Sequence, residues 1–205
     1  MTLAPLSQAA EDLVLAAEGL NQPGRVPPGD SGITLGYGYD LAHHTADELE
    51  TDWGPFLASE QIHRLKGVVG YHGDEARLLS RNVASIEISP ESARKVFVLS
   101  SVPKYQAMTE RVFPGLADWP VDCKGALFSL VYNRGDSLVG DRRSEMRAIA
   151  EDITQPWSIA FLIDIAGLLR AMKRLWSAET EPGLIARREN EARLVESCIP
   201  PGGMP

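Results

Sequence analysis

SGITLGYGYDL, residues 31–41, gathers a hydroxyl at Thr34, glycines at Gly36 and Gly38, tyrosines at Tyr37 and Tyr39 and a carboxylate at Asp40 into one short segment. Ile33, Leu35, Tyr37 and Tyr39 alternate with Thr34, Gly36, Gly38 and Asp40, the period-two pattern of a strand. Residues 21–40 hold too many prolines and glycines for a helix, so this stretch reads as a small β-hairpin or irregular sheet. In a continuous strand Thr34, Gly36, Gly38 and Asp40 share one face, where the two glycines leave bare backbone and room for a ligand ring.

Working outward, Ala10, Leu13, Val14 and Ala17 recur at helical spacing. A helix over residues 7–19 is expected, opened by Ser7 and stopped by Gly19, with Glu18 in its last turn. Beyond the glycine-rich stretch, helix signals dominate. Thr45 with Glu48 makes a capping box, Ser89 precedes Pro90 as cap and first helical residue, and Thr154 precedes Pro156. Cys123, Ala126, Leu127, Leu130 and Val131 follow the spacing of a buried helix, which Phe128 and Tyr132 extend around the cylinder. Residues 157–176 form one helix or two that break at Gly167, residues 184–196 form the last helix, and the tail 199–205 has nothing to pack. The expected fold is mainly α (α+β). It is a single domain with a β-rich lobe at about residues 20–44 and a helical lobe at 45–198 around a central buried helix.

With 205 residues, 44% of them hydrophobic, the chain can bury a proper core. Its net charge of −8 lies entirely in residues 1–141, which carry 11 Lys+Arg against 19 Asp+Glu, while residues 142–205 carry 9 of each. That balance argues against nucleic acid and anionic membranes as partners, because both are held through clustered Lys and Arg. No apolar run reaches the roughly 18 residues of a membrane span. The start MTLAPLSQAAEDL has neither the basic nor the apolar region of a secretory signal. Synthesis in the cytoplasm and delivery by another system are therefore expected. Cys123 and Cys198 lack metal or disulfide-framework spacing and read as incidental thiols.

The groups suited to chemistry are carboxylates and a hydroxyl. Glu18 sits beside the negative end of its helix dipole, with Val14 and Leu15 as neighbours, and both features favour the neutral acid that a general acid requires. Asp40 ends a polar, glycine-rich segment where water and backbone N–H groups reach it, which suits an ionised partner, and Thr34 could hold an attacking water. Asp30, in PPGDS, is a second candidate carboxylate or the cap of a turn. His43 and His44 are adjacent, point apart in a loop and have no third ligand, so neither a metal nor a cofactor is expected.

A Glu ending the first helix, followed by Thr-x-Gly-x-Gly and an Asp six residues after the Thr, resembles the phage-type lysozymes and specifically their pesticin-like branch. GALFSLVYNRG (residues 125–135) resembles the family's central helix, and DRRSEM (141–146) and PGLIARRENEARL (182–194) extend the likeness in the expected order. The resemblance implies a lysozyme-like fold and muramidase activity on bacterial peptidoglycan, with Glu18 as acid, Thr34 positioning water and Asp40 as base or charge stabiliser. In other phage-type lysozymes the second carboxylate precedes the Thr, and only Asp30 could take that place. Substrate contacts would fall to Tyr37, Tyr132, Asn133 and Arg187. Tyr132 can equally belong to the core and Asn133 to a helix cap, and Arg142, Arg143, Arg187 and Arg188 can pair with substrate carboxylates or within the protein. The expected setting is a monomer acting on the wall in the periplasm, as a phage endolysin or antibacterial toxin, with an inhibitor or immunity protein as a further partner. A lysozyme-like module that binds the wall without cutting it is the alternative.

Overall fold

The computed structural model describes residues 5–27 and 29–202. Over them the protein is mainly helical with one small antiparallel sheet. Ser7 starts α1 (Gln8–Glu18) by accepting the backbone N–H of Ala10 on its hydroxyl at 3.1 Å. Gly19, at φ +64°, ends it in the left-handed conformation that side-chain-bearing residues adopt only at a cost.

β1 (Thr34–Leu35) pairs antiparallel with β2 (Tyr39–Asp40), setting Thr34 opposite Asp40 and Leu35 opposite Tyr39. The run expected to be one alternating strand therefore folds back on itself. Gly36 and Gly38, at φ +55° and +84°, supply the left-handed backbone that so tight a reversal requires. Thr34 and Asp40 do share a face, as cross-strand partners rather than as distant positions of one strand.

α2 (Ala46–Trp53) opens with the capping box, Glu48 N–H donating to Thr45 Oγ1 at 3.2 Å and Thr45 N–H to Glu48 Oε2 at 2.7 Å. α3 (Ser59–Lys66) and α4 (Gly73–Leu79) follow. Ser89 caps α5 (Pro90–Val96) by accepting the Ser92 N–H at 3.1 Å, and a π-helical turn (Phe97–Ser101) continues it. A two-stranded hairpin cannot bury enough surface to stand alone. Here Ile33, Leu35, Tyr39 and Leu41 share a core with Leu49, Trp53, Ile62 and Leu65. The compact unit containing the sheet runs from Glu18 to Pro103.

Met1–Ala17 and Lys104–Pro205 make the other unit. It contains most of α6 (Val102–Val112), then α7 (Val121–Arg134), α8 (Ser144–Ile153), α9 (Ile159–Ala171) and α10 (Pro182–Glu196). α7 is its buried centre, with Cys123 and every residue from Gly125 to Tyr132 out of solvent. A Cβ on Gly125 would lie 2.3 Å from the Ala10 Cβ, so glycine is what lets α1 and α7 touch there. Of the two readings of residues 157–176, one helix or two that break at Gly167, the unbroken one holds, and two other expectations are corrected. α9 passes through Gly167 without a break, because that glycine is on the exposed face while Leu162, Ile165, Ala166 and Leu169 bury the other. Its cap is Ser158, which accepts the Phe161 N–H at 3.3 Å, whereas Thr154 ends α8. Ile199, assigned to a loose tail, packs in the core with Val195 and Leu194; residues 203–205 of that tail lie outside the described residues. Among the described residues no helix is long and apolar enough to cross a membrane.

α7 and α10 are joined by a buried polar network. Ser129 Oγ donates to Glu191 Oε1 at 2.6 Å, Arg188 Nη2 donates to the same oxygen at 2.6 Å, and Arg187 donates to Ser129 Oγ at 3.1 Å and to its carbonyl at 3.0 Å. Arg188 and Glu191 are both fully buried, so each desolvated charge depends on the other. Glu191→Gln should therefore destabilise the fold by about 3–5 kcal/mol, read as a lower urea midpoint at unchanged m-value. A loss below about 1 kcal/mol, the scale of a surface pair, would refute the assignment.

Candidate functional site

The geometry around the hairpin begins at Asn21. Its backbone pairs with Gly36 in both directions, at 2.8 and 3.0 Å. Its side-chain Nδ2 lies within hydrogen-bond distance of the carbonyls of Gly36 (3.1 Å), Glu18 (3.3 Å) and Gly19 (3.2 Å). One amide thus ties the backbone of Glu18 to the turn that joins Thr34 to Asp40. The glycine at that turn is not open, however. A Cβ on Gly36 would lie 2.9 Å from the Ala93 Cβ and 3.1 Å from the Trp53 ring, so α5 and α2 cover the bare backbone expected to admit a ligand.

Thr34 is buried, at 6% exposure, and its hydroxyl makes only a long bond, 3.4 Å, to the Gly32 carbonyl. Asp40, half-buried, accepts the Gly32 N–H on Oδ2 at 3.2 Å and the Ala42 N–H on Oδ1 at 2.9 Å, capping the short 3-10 turn Leu41–His43. These bonds fix the carboxylate's orientation and pin the loop before β1 onto β2. Two of about four lone-pair sites remain to accept further donors.

Asp30 has an 83% exposed side chain, with Oδ1 2.6 Å from His72 Nδ1. The two meet because Gly32 and His72 form an isolated antiparallel bridge. The hydrogen bond to Asp30, reinforced by its charge and more weakly by Glu75 and Asp40, raises the His72 pKa above its ordinary 6.5. His72 escaped the sequence reading because it is 42 residues from its partner, with no local pattern to join them. Asp52 escaped it too. It accepts the Tyr39 hydroxyl at 2.8 Å and the Ser100 hydroxyl at 2.7 Å. Tyr39 also stacks on His44 at 3.8 Å and meets the edge of Trp53 at 5.8 Å, so it anchors the hairpin from inside. Burial, then Asp52, pushes its phenol well above the ordinary range.

Glu18 is half-buried at the end of α1, and Tyr37 is half-buried against the hairpin's core. Glu18, Asp30, Thr34, Tyr37 and Asp40 therefore belong to one compact unit, and Tyr132, Asn133 and Arg187 to the other. Tyr132 is buried in the core with its ring 4.3 Å from that of Tyr105, and Arg187 is committed to the Ser129–Glu191 network. Asn133 is half-buried and lines a cavity with Arg134, Arg142 and Arg143. Among the described residues, no group of three or more His, Cys, Asp or Glu side chains is placed to hold a metal ion.

Residues 21–114 match the model of a domain of unknown function (DUF8812). The match takes in Asp30, Thr34, Asp40 and His72 but not Glu18, and it overlaps most of the unit Glu18–Pro103. No curated protein matches the chain.

The Asp30–His72 pair makes a testable statement about pH. A raised histidine value means that the pair supports the Gly32–His72 bridge below 6.5 and lapses as the pH climbs through the raised value. An NMR titration of the His72 ring should place its charge change above 6.5, and Asp30→Asn should move it down. A value unmoved by that substitution would contradict the pairing.

Proposed function

We propose that this protein is a muramidase that hydrolyses the β-linkage between N-acetylmuramic acid and N-acetylglucosamine in bacterial peptidoglycan. The observation that carries the reading is the grouping around Asn21. Its amide bonds the backbone of Glu18 and that of Gly36, two residues from Thr34, while Thr34 faces Asp40 across the hairpin. An acid, a hydroxyl and an oriented carboxylate are what general acid/base cleavage of a glycosidic bond needs. They occur in the order and spacing of the resemblance drawn above, in a mainly helical chain with a small antiparallel sheet; a lysozyme-like fold is part of this proposal.

In this reading Glu18 protonates the leaving oxygen, Thr34 orients water, and Asp40 either takes the water's proton or stabilises positive charge developing on the sugar. Asp40 is preferred over Asp30 because two backbone amides hold it in place, whereas Asp30 is exposed and bound to His72. The setting would be cell lysis, by an endolysin or an antibacterial toxin delivered to the wall by another system, with an inhibitor or immunity protein as a further partner. An acidic enzyme gains nothing from long-range attraction to an anionic wall, which favours release close to it.

The wild-type protein should clear a suspension of purified peptidoglycan, and Glu18→Gln should slow clearing by on the order of 10²–10⁴-fold while leaving the unfolding midpoint near that of the wild type. Equal clearing by both would sink the assignment of Glu18. A second reading, a lysozyme-like module that binds the wall without cutting it, draws support from the Asp40 carboxylate, which has a complete structural role in capping Leu41–His43 and holding Gly32. Retention on peptidoglycan with no release of reducing sugar would select it.

A further inference from the structure

Arg134 ends α7, and Arg142 and Arg143 lie in the short 3-10 turn Asp141–Arg143 before α8. With Asn133, Trp176 and Leu184 they line a cavity of about 540 Å³, within the range of small-ligand sites. Three guanidiniums around one cavity are ordinarily matched by carboxylates. Here their hydrogen bonds go to neutral acceptors: Arg134 to the Arg142 carbonyl, Arg143 to the Arg134 carbonyl and the Met146 sulfur, and Arg142 to the Leu175 carbonyl. Among the described residues none of the three forms an ion pair, although the neighbouring Arg174 is paired with Glu145. Asp141 also lines the cavity, and Glu145 and Glu181 act on Arg134 and Arg142 from beyond ion-pair distance.

Burial and crowding both disfavour the charge on Arg134. Burial, and then the charges of Arg143, Arg188 and Arg142, push the Arg134 guanidinium down to about 10, and its Nε is buried with no hydrogen-bond partner. Trp176 lies 5.1 Å from the Arg134 guanidinium and 5.8 Å from that of the buried Arg188, which holds these cations by their π contacts but supplies no net negative charge. A second observation has the opposite polarity. Asn133 Oδ1, an acceptor, is buried at the same cavity and has no hydrogen bond. The three guanidiniums therefore lack a paired carboxylate, and the Asn133 amide oxygen lacks an N–H partner.

We propose that it binds a ligand carrying a carboxylate beside a secondary amide N–H, the chemistry of an acidic peptide, with the carboxylate on Arg142 and Arg143 and the N–H on Asn133. Charge-assisted forks on a planar carboxylate are the natural use of paired arginines. Inorganic phosphate answers the guanidiniums but offers no amide N–H to Asn133. The inference rests on these residues alone and not on muramidase activity, and its test reads binding rather than cleavage.

Isothermal titration of the full chain with N-acetyl-alanyl-glutamate is the test, with its uncharged diamide, glutarate and inorganic phosphate as comparisons. The acetyl-peptide should bind, with the diamide and phosphate at least about tenfold weaker, and Arg142→Gln should weaken it by about 10–100-fold. Asn133→Ala should weaken the acetyl-peptide but not glutarate, which has no N–H. Arg142 is exposed, so its variant should keep the wild-type unfolding midpoint and carry the test if Asn133→Ala does not fold. A glycan-free stem peptide released from peptidoglycan distinguishes a wall-derived ligand from a free one by which binds tighter. Absence of binding, equal binding of phosphate, or an affinity unmoved by Arg142→Gln would overturn the proposal.

Discussion

Bare backbone at Gly36 is the constraint on which the hairpin and the groups it carries depend. The residue must take φ +55° to reverse the chain, lie against Ala93 and Trp53 where a side chain would collide, and present both N–H and C=O to Asn21. Each demand excludes a Cβ or a different backbone direction. Meeting all three at one position sets Thr34 opposite Asp40 and brings the end of α1 to the same turn through the Asn21 amide. The chemistry proposed for this protein follows from that local geometry more than from any single reactive side chain.

Polar groups near the hairpin have structural partners of their own. Asp40 holds Gly32 and caps the following turn while keeping lone pairs to spare, and Asp52 accepts two hydroxyls so that Tyr39 can be buried without an unmet donor. The other unit solves the same problem with charge. Arg187 and Arg188 share the Glu191 carboxylate, with Ser129 bridging, inside the α7–α10 contact, whereas Arg134, Arg142 and Arg143 find only neutral acceptors at their cavity. Arginines of one compact unit thus have opposite fates according to whether a carboxylate is buried beside them.

What could be read from the sequence was what local rules govern. Ser7, the Thr45–Glu48 box and Ser89-Pro90 act as caps because each needs only a backbone N–H two or three residues away, and α7 was visible because its apolar residues cover the whole cylinder. The errors fell where tertiary packing overrides a local signal. Ile199 follows a helix end but finds a core, and at Gly167, where one helix or two stood open, the buried face of α9 holds the helix through. The hairpin was recognised, but its reversal at Gly36–Gly38 was not, since alternation of apolar and small residues looks the same in a strand and in a tight turn. In the candidate site, Glu18, Thr34 and Asp40 were legible as a pattern of residue types. Asn21, Asp52 and His72, which hold that pattern in place, were not, because their partners are remote in sequence or are backbone atoms.

The central claim is that these groups cleave glycan. Mass spectrometry of the fragments released from purified peptidoglycan by the intact protein tests it most directly. The account predicts fragments ending in reducing N-acetylmuramic acid. Free peptides, anhydro-sugar ends or no released fragments would contradict it.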